Sequence, residues 1–256
     1  MRERTARIAG SVALAALFVL PLAVLALQAV ADSWSAPGVL PDNLGTRGFD
    51  VALRSGRAGE ALANSIVIAL ATTVVALVIA WPAARAIGMR FQPPPTVFVV
   101  ALALPLLMPS YLAGFGLTEW FIRLGIDGTL VGVVLSHVTF ALPYAVLILI
   151  SGFGRELNSL EEMAAASGVG PLERLRWVTL PSLRPTLAIA ALLAFLVSWS
   201  QYGTSLAIGG GLPTLPVAML PFVRTDPQVA AAMAILFLAP CVVALAVVAR
   251  SARSPL

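Results

Sequence analysis

Few side chains in this sequence could carry out chemistry. The chain has one histidine, His137, and one cysteine, Cys241, and it contains neither an HExxH motif nor a pair of aspartates inside an apolar segment. Metal and aspartyl chemistry need several such groups at defined spacing, so this composition argues against both. A serine–histidine pairing that involves His137 is conceivable, but no sequence pattern supports it. The sequence predicts that the chain is not an enzyme.

The sequence also lacks a phosphate-binding loop for a nucleotide. All 16 basic residues are arginine, and the GxxxxGK[ST] loop requires a lysine. Any ATP hydrolysis connected with this chain must therefore take place on another polypeptide. No cofactor is expected for the chain itself.

The composition indicates an integral membrane protein. Hydrophobic residues make up 59% of the 256 residues and charged residues only 11%, whereas soluble domains are about 25% charged. Only helices and closed barrels satisfy the backbone inside a bilayer, and the long apolar runs favour helices. We predict an all-α, polytopic protein with one transmembrane domain over residues 1–256.

Apolar runs of about 20 residues predict six transmembrane helices. The predicted spans cover about 8–30, 60–81, 96–118, 129–152, 185–208 and 228–249. Pro82 is expected to end the second span, and Pro105 and Pro109 to kink or unwind the third. Residues 32–59 are polar and rich in Gly and Pro, which favours an external segment.

The arginine distribution supports an orientation with both termini in the cytoplasm. With the N-terminus inside, 11 arginines fall on the cytoplasmic side and 5 outside, which follows the positive-inside bias. The cytoplasmic set is Arg2, Arg4, Arg7, Arg85, Arg90, Arg155, Arg174, Arg176, Arg184, Arg250 and Arg253. Because these residues lie at span ends and form no continuous stripe, we do not expect nucleic-acid binding.

Between the fourth and fifth spans lies a segment, 153–184, that is unusually polar for this chain. Ser159-x-x-Glu162 resembles a capping box that would start a short helix, and Gly168 suits the left-handed residue beyond its end. Pro171 fits the first turn of a second helix, which Pro181 is expected to break. The small residues Ala164 and Ala165 would let a partner approach closely. A docking element is favoured over a connector resting on lipid headgroups, since the first helix is acidic and small-sided.

Polar side chains inside spans are candidates for a solute pathway. They are His137 on the fourth span and Trp199, Gln201 and Tyr202 on the fifth. For His137, a hydrogen bond between helices is favoured over contact with a solute. For Gln201 and Tyr202 the two alternatives stay open.

The polar segment resembles the EAA loop of permease subunits of bacterial ABC importers. The shared pattern is Glu-x-Ala-x-x-x-Gly, nine residues, an aliphatic residue, one more residue, and Leu-Pro. Here its positions are Glu162, Ala164, Gly168, Val178, Leu180 and Pro181. Met163 stands where the family usually has alanine, and Val178 replaces the commoner isoleucine. The resemblance extends from about Asn64 to Pro216 and is greatest to permeases for polyamines, thiamine and ferric iron.

This resemblance implies an importer subunit in the bacterial cytoplasmic (inner) membrane. Two permeases, identical or homologous, would form a pathway that opens alternately to each side, and a cytoplasmic ATPase dimer would bind ATP. An extracytoplasmic binding protein would deliver the solute. Glu162, Ala164, Ala165 and Gly168 would form the coupling helix, while Leu180 and Pro181 would set its return into the membrane.

An ion-coupled secondary transporter or another polytopic carrier is the alternative, since broken helices like the predicted third span are common there. The EAA spacing separates the two interpretations. No carboxylate lies in the middle of a span, which also argues weakly against a proton-coupled carrier.

The predicted topology places Ala165 in the cytoplasm, and this can be tested by labelling. A thiol introduced at position 165 should resist a membrane-impermeant reagent added to intact cells and react once the membrane is opened. Reaction in intact cells would contradict the orientation and the docking role with it.

Overall fold

The fold is almost entirely helical, as the composition predicts. The computed structural model describes residues 2–35, 37–54, 57–91 and 93–251. Its α-helices are α1 Arg2–Ala29, α2 Arg47–Arg54, α3 Arg57–Gly88, α4 Thr96–Leu107, α5 Ser110–Arg123, α6 Leu130–Gly152, α7 Arg155–Ala166, α8 Pro171–Arg174, α9 Leu180–Trp199, α10 Gly203–Ile208, α11 Leu215–Met219, α12 Phe222–Thr225 and α13 Pro227–Ser251. A π-helical turn, Leu175–Thr179, joins α8 to α9. Met1 and residues 252–256, which include Arg253, lie outside the described residues.

Four described helices are long and apolar enough to cross a membrane. They are Arg57–Gly88, Leu130–Gly152, Pro171–Trp199 and Pro227–Arg250. The pair formed by α4 and α5 raises the number to five if it counts as one span, and Ala13–Ala29 is a shorter apolar helix. The predicted number of six spans and the cytoplasmic termini therefore stay predictions.

The predicted third span is broken, and proline explains how. Helices α4 and α5 meet at a bend of 93°. Between them Met108 is extended, with φ −89° and ψ 133°, because a residue before proline is pushed out of the helical region. Pro109 then precedes α5 at its N-terminus. The predicted local unwinding is confirmed at Pro109, whereas Pro105 lies inside α4.

Other prolines do not end helices, contrary to our expectation for Pro82. This residue lies inside α3, which continues to Gly88, and Pro143 lies inside α6. A proline removes one backbone hydrogen bond, and in membrane helices neighbouring groups or a local change of helical pitch satisfy the carbonyl that is freed. Proline in an apolar run therefore does not by itself mark a boundary here.

The chain packs as two compact units. The first contains the described residues up to Leu62 together with Leu215–Pro240, and the second contains Ala63–Thr214 with the described residues from Cys241. In the first unit, Ala29, Ala231 and Ala232 form a small buried cluster.

The first unit contains structure where the sequence suggested only a polar external segment. Strands β1 (Ala31–Ser33) and β2 (Asn43–Leu44) pair in antiparallel fashion, and α2 follows them. Arg47 on α2 forms an ion pair with Asp226, with Nη2 and Oδ2 2.5 Å apart. The hydrogen bond from Arg47 is the largest cause that lowers the pKa of Asp226. This segment is thus tied to the start of α13.

Small residues bring the helices of the second unit close together. Ala76, Ala80 and Ala84 recur every fourth residue on α3, so they form one stripe, and they pack in a buried cluster with residues of α6 and α9. The members from α6 and α9 include Ala141, Ala145, Leu149, Leu183, Ala190 and Ala194. Such stripes let helix backbones approach closely where lipid removes the usual hydrophobic driving force.

The short helix α10 packs tightly against α5. A Cβ added at Gly203 would lie 2.4 Å from Ser110 Oγ and 2.5 Å from the backbone nitrogen of Tyr111. At Gly114 it would lie 2.7 Å from the Cβ of Ala207. Helix α5 therefore supports the short helix α10.

This packing predicts opposite effects of two glycine-to-alanine changes. Gly203→Ala should destabilise the protein by about 1–3 kcal/mol, because the methyl group meets backbone that cannot move freely. Gly116→Ala on α5 is the matched control, since its methyl group would meet nothing within 4 Å and alanine favours helix by roughly 0.5–1 kcal/mol. Thermal unfolding of the purified protein measures both, and equal stability of the two variants would contradict the close packing.

Candidate functional site

The polar segment between α6 and α9 begins with a sharp turn at Phe153 and Gly154. Gly154 has extended backbone, with φ −119° and ψ −177°, and precedes α7 at its N-terminus. The predicted capping box is wrong, because α7 starts at Arg155 and Ser159 already lies one turn inside it. The Ser159 hydroxyl donates to the carbonyl of Glu156 at 2.8 Å, and Glu162 accepts from the Asn158 side-chain amide at 2.7 Å.

One face of α7 packs inward through Leu157 and Glu161. These residues are one helical turn apart and are 4% and 7% exposed. Leu157 belongs to the main buried cluster of the second unit. Burial of the apolar Leu157 side chain is favourable. Burial of the Glu161 carboxylate is costly unless the charge is paired and hydrogen-bonded.

Glu161 is compensated by two partners from other elements. Arg85, near the end of α3, donates to both carboxylate oxygens, at 2.9 and 2.5 Å. The Thr179 hydroxyl, in the π-helical turn, donates to Oε1 at 2.5 Å. The hydrogen bond from Arg85 is the largest cause that lowers the pKa of Glu161, and it outweighs the burial that would raise it.

The Glu161 ion pair therefore joins three elements of the second unit: α3, α7 and the π-helical turn. Bidentate Arg–carboxylate pairs have defined geometry as well as favourable energy. Arg85 also lies over the Phe153 ring, with Cζ 5.8 Å from the ring centroid. The inner face of α7 is thus held in one orientation.

Most of the rest of α7, including its C-terminal end, is exposed within the chain. Glu162 and Ala165 are exposed, Ala164 is partly buried, and Met163 is 62% exposed. Beyond α7, Leu172 is 77% exposed. We call the surface formed by Glu162, Met163, Ala165 and Gly168 the outer face of α7.

Gly168 ends this surface as predicted. Its φ of +83° is in the left-handed region, which disfavours residues with a side chain. The Gly168 amide donates to the carbonyl of Ala165, and the Val169 amide to that of Ala164, both at 3.0 Å. The chain then enters α8 with Pro171 in its first turn, as the sequence suggested.

The second half of the segment differs from the prediction at Pro181 and Pro185. From Pro171 to Trp199 the chain is one continuous helical span of 29 residues. The π-helical turn widens the helix just before Pro181, and the Leu180 amide donates five residues back, to the carbonyl of Leu175. Such a turn changes the hydrogen-bond register where proline cannot donate. Leu180 and Pro181 therefore lie inside a helix and do not mark its start.

His137 lies on α6 and joins it to two other elements. It is 2% exposed, and its Nδ1 and Nε2 each lie 2.9 Å from a serine hydroxyl, of Ser198 and Ser205 respectively. The Ser205 hydroxyl also lies within hydrogen-bond distance of the carbonyl of Gln201, at 3.0 Å. In the neutral imidazole one ring nitrogen donates and the other accepts, and a serine hydroxyl can serve as the partner of either. The predicted hydrogen bond between helices is confirmed, while solute contact of His137 stays a prediction.

The predicted fifth span does not reach residue 208 as one helix. Helix α9 ends at Trp199, and a break over 200–202 precedes α10. Trp199 is 2% exposed and stacks on Phe195 with ring centroids 5.6 Å apart. Gln201 and Tyr202 lie in the break and are partly buried. Backbone that leaves the helix at membrane depth must be buried in protein or line a cavity, so the break keeps both as pathway candidates.

Known proteins are similar to this chain in sequence and in fold. No family model matches the sequence. PhnV of Salmonella typhimurium LT2, the permease protein assigned to a 2-aminoethylphosphonate transport system, is 31% identical over 224 residues, covering 86% of this chain and 83% of PhnV. The chain belongs to the permease subunits of ABC importers.

Two further proteins agree with this membership. SugB of Mycobacterium tuberculosis, a trehalose transport system permease protein, is 35% identical over 166 residues, covering 64% of this permease and 60% of SugB. A solved bacterial ABC transporter that imports the polysaccharide alginate shares the fold, with 18% identity, a TM-score of 0.72 and coverage of 96% and 97% of the two chains.

Membership in this family decides between the two functions that the sequence left open. The permease of an importer works with an ATPase and a substrate-binding protein, so the secondary-transporter alternative is not supported. PhnV and SugB are named for a phosphonate and a sugar, and the narrower resemblance to polyamine, thiamine and ferric-iron permeases stays a prediction.

Sequence reasoning did not identify the residues that hold α7 in place. The predicted coupling residues include Glu162 but not Glu161, whose partners Arg85 and Thr179 are 76 and 18 residues away. The i, i+4 spacing of Leu157 and Glu161 was the available signal, since it places the carboxylate on the apolar face.

The Glu161 ion pair predicts a loss of stability in acid. A carboxyl group with a lowered pKa stabilises the folded state above its ordinary value of 4.5, and this contribution disappears as pH falls through the folded pKa. Glu161→Gln should cost about 1–3 kcal/mol at neutral pH, since Arg85 and Thr179 lose a charged acceptor. It should also reduce the slope of stability against pH below 4.5 without abolishing it, because the pKa of Asp226 is lowered as well.

Glu162→Gln is the control, because it makes the same chemical change on the adjacent exposed residue. It should change the free energy of unfolding, measured by thermal unfolding, by less than about 0.5 kcal/mol. Equal effects of the two substitutions would contradict the special position of Glu161.

Proposed function

We propose that the outer face of α7 is the surface on which a cytoplasmic ATPase docks. The observation that carries this proposal is the division of α7 into two faces. Leu157 and Glu161 hold the inner face, whereas Glu162, Met163 and Ala165 are exposed. An exposed methionine beside small residues suits contact with another protein surface.

The continuous helix after α8 supports a route for coupling. The span Pro171–Trp199 has 29 residues, so at 1.5 Å per residue it is about 40 Å long. One end lies beside the outer face of α7, and the other end reaches the break that contains Gln201 and Tyr202. A displacement of α7 and α8 by the ATPase would therefore be transmitted along one helix to the break.

Gln201, Tyr202 and the two broken helices are proposed to line or gate the solute pathway. Helix breaks at membrane depth are typical of transport sites, where freed backbone groups meet solute or water. Because His137 ties α6 to α9 and α10 through Ser198 and Ser205, a shift of α9 would be felt at α10. His137 and Trp199 would then act by positioning these helices.

The complete importer would contain further subunits. Two permeases, identical or homologous, would form the pathway in the bacterial inner membrane, and each would contact one subunit of an ATPase dimer. ATP would bind to that dimer and not to this chain. Closure of the ATPase would favour the outward-open state and its opening the inward-open state, a two-state change biased from both sides of the membrane. An extracytoplasmic binding protein would deliver the solute.

Substitutions on the outer face of α7 test this proposal. Glu162→Lys reverses a charge on the proposed docking surface, and Gly168→Pro is incompatible with φ +83°. Both variants should insert into the membrane normally and lose at least about 90% of transport. Such a tenfold decrease requires the loss of only about 1.4 kcal/mol of docking energy. Transport by whole cells and co-purification of the ATPase are the measurements.

Gly170→Ala is the matched control for Gly168. The φ of Gly170 is −66°, and an added Cβ would meet only the Glu173 carboxylate, at 3.8 Å. This variant should transport normally. Full transport by Glu162→Lys and Gly168→Pro, with the ATPase still bound, would refute the docking assignment.

A further inference from the structure

A cavity is lined by residues of α3, α7, α8 and the π-helical turn. Its volume is about 220 Å³, which is room for several water molecules or one phosphate-sized group. The lining residues are Trp81, Arg85, Glu161, Pro171, Arg174, Leu175 and Thr179. The cavity therefore includes the Glu161 ion pair but also a second arginine that this pair does not use.

The lining of the cavity carries an excess of positive charge. Two guanidinium groups, of Arg85 and Arg174, face one carboxylate, that of Glu161. Arg85 and Glu161 form a bidentate pair, and the Thr179 hydroxyl donates a hydrogen bond to the same carboxylate. Arg174 interacts with Glu161 only through charge, because the hydrogen bonds of this carboxylate come from Arg85 and Thr179. One positive charge of the lining is therefore left uncompensated.

Arg174 also has an unsatisfied donor. Its Nε is buried and has no hydrogen-bond partner among the described residues. A buried N–H without an acceptor costs free energy comparable to a lost hydrogen bond. A water molecule could accept this one bond, but it would leave the charge uncompensated. An anion satisfies both requirements at once.

The neighbouring residues place the cavity at a membrane surface. Trp177, one helical turn from Arg174, is 69% exposed, and Arg176 lies over its ring at 5.1 Å. Exposed tryptophan and arginine at the end of an apolar helix are typical of the headgroup region of a bilayer. The anions concentrated there carry phosphate groups, and planar guanidinium groups bind phosphate through paired hydrogen bonds.

We propose that this cavity binds a phosphate group, with Arg174 as its main ligand and the remaining N–H donors of Arg85 as a second. The phosphate is either the headgroup of an anionic phospholipid or free inorganic phosphate. The cavity is lined from α7 by Glu161 and by no residue of the outer face of α7. A bound phosphate would bridge α8 to the end of α3.

The test uses the full chain with two probes. Phosphatidylglycerol is titrated against a phosphatidylcholine background, and inorganic phosphate is titrated separately in phosphatidylcholine alone, with retained ligand read by native mass spectrometry. The wild-type protein should retain one equivalent of one probe. Arg174→Gln should weaken that binding about tenfold, the equivalent of one charge-assisted hydrogen-bonding pair.

Three further variants keep the result interpretable. Arg184→Gln removes an exposed arginine of the same helix, outside the cavity, and should weaken binding less than about twofold. Arg174→Lys keeps the charge without the planar fork and should give an intermediate loss. Glu161→Gln removes the only negative charge of the cavity and should strengthen binding.

Each outcome decides the proposal. Retention of phosphatidylglycerol that depends on Arg174 identifies a lipid site, and the same dependence with inorganic phosphate identifies a free-phosphate site. Equal retention by wild type and Arg174→Gln, or an equal loss in Arg184→Gln, would overturn it, since the first indicates a water-filled cavity and the second general surface charge. Neither result bears on docking, which the transport assay of Glu162→Lys measures separately.

Discussion

The ion pair between Arg85 and Glu161 is the interaction on which the proposed site depends. A carboxylate on the inner face of α7 would be unfavourable without a cation, and a bidentate guanidinium from α3 together with the Thr179 hydroxyl compensates for its burial. Because these three residues come from three elements, the pair fixes the orientation of α7 relative to α3 and the π-helical turn. The exposure of Glu162 and Met163, which lie on other sides of the helix, follows from that orientation.

Close packing of small residues is the second constraint on the second unit. Alanines every fourth residue bring α3 against its neighbours, and Gly114 and Gly203 bring α5 against α10. Two breaks, at Met108 and over 200–202, interrupt helices that would otherwise cross the membrane without exposing backbone. Such breaks are tolerated where protein or a cavity replaces lipid. The His137 hydrogen bonds then connect the second break to α6.

Proline illustrates how local preference and tertiary context compete. Pro109 unwinds the chain because it pushes Met108 into an extended conformation, as its local chemistry predicts. Pro82 and Pro181 do not unwind the chain: α3 continues through the first, and the helix Pro171–Trp199 continues through the second. For Pro181 a π-helical turn supplies the change of register. The same residue type therefore interrupts the chain at one position and lies inside helices at others, and sequence alone does not distinguish these cases.

Local properties of the sequence were sufficient for the class of protein and for its helical character. Long apolar runs require helices in a bilayer, Gly168 adopts the left-handed conformation that its type favours, and the predicted resemblance to importer permeases agrees with the relatives of the chain. The identity of the buried carboxylate required the tertiary structure. Glu161 and Glu162 are adjacent and chemically identical. The spacing from Leu157 favours Glu161 for the apolar face, but the cation that compensates its burial, Arg85, lies 76 residues away. Pairing across such a separation depends on how α3 packs against α7, and no local preference encodes that.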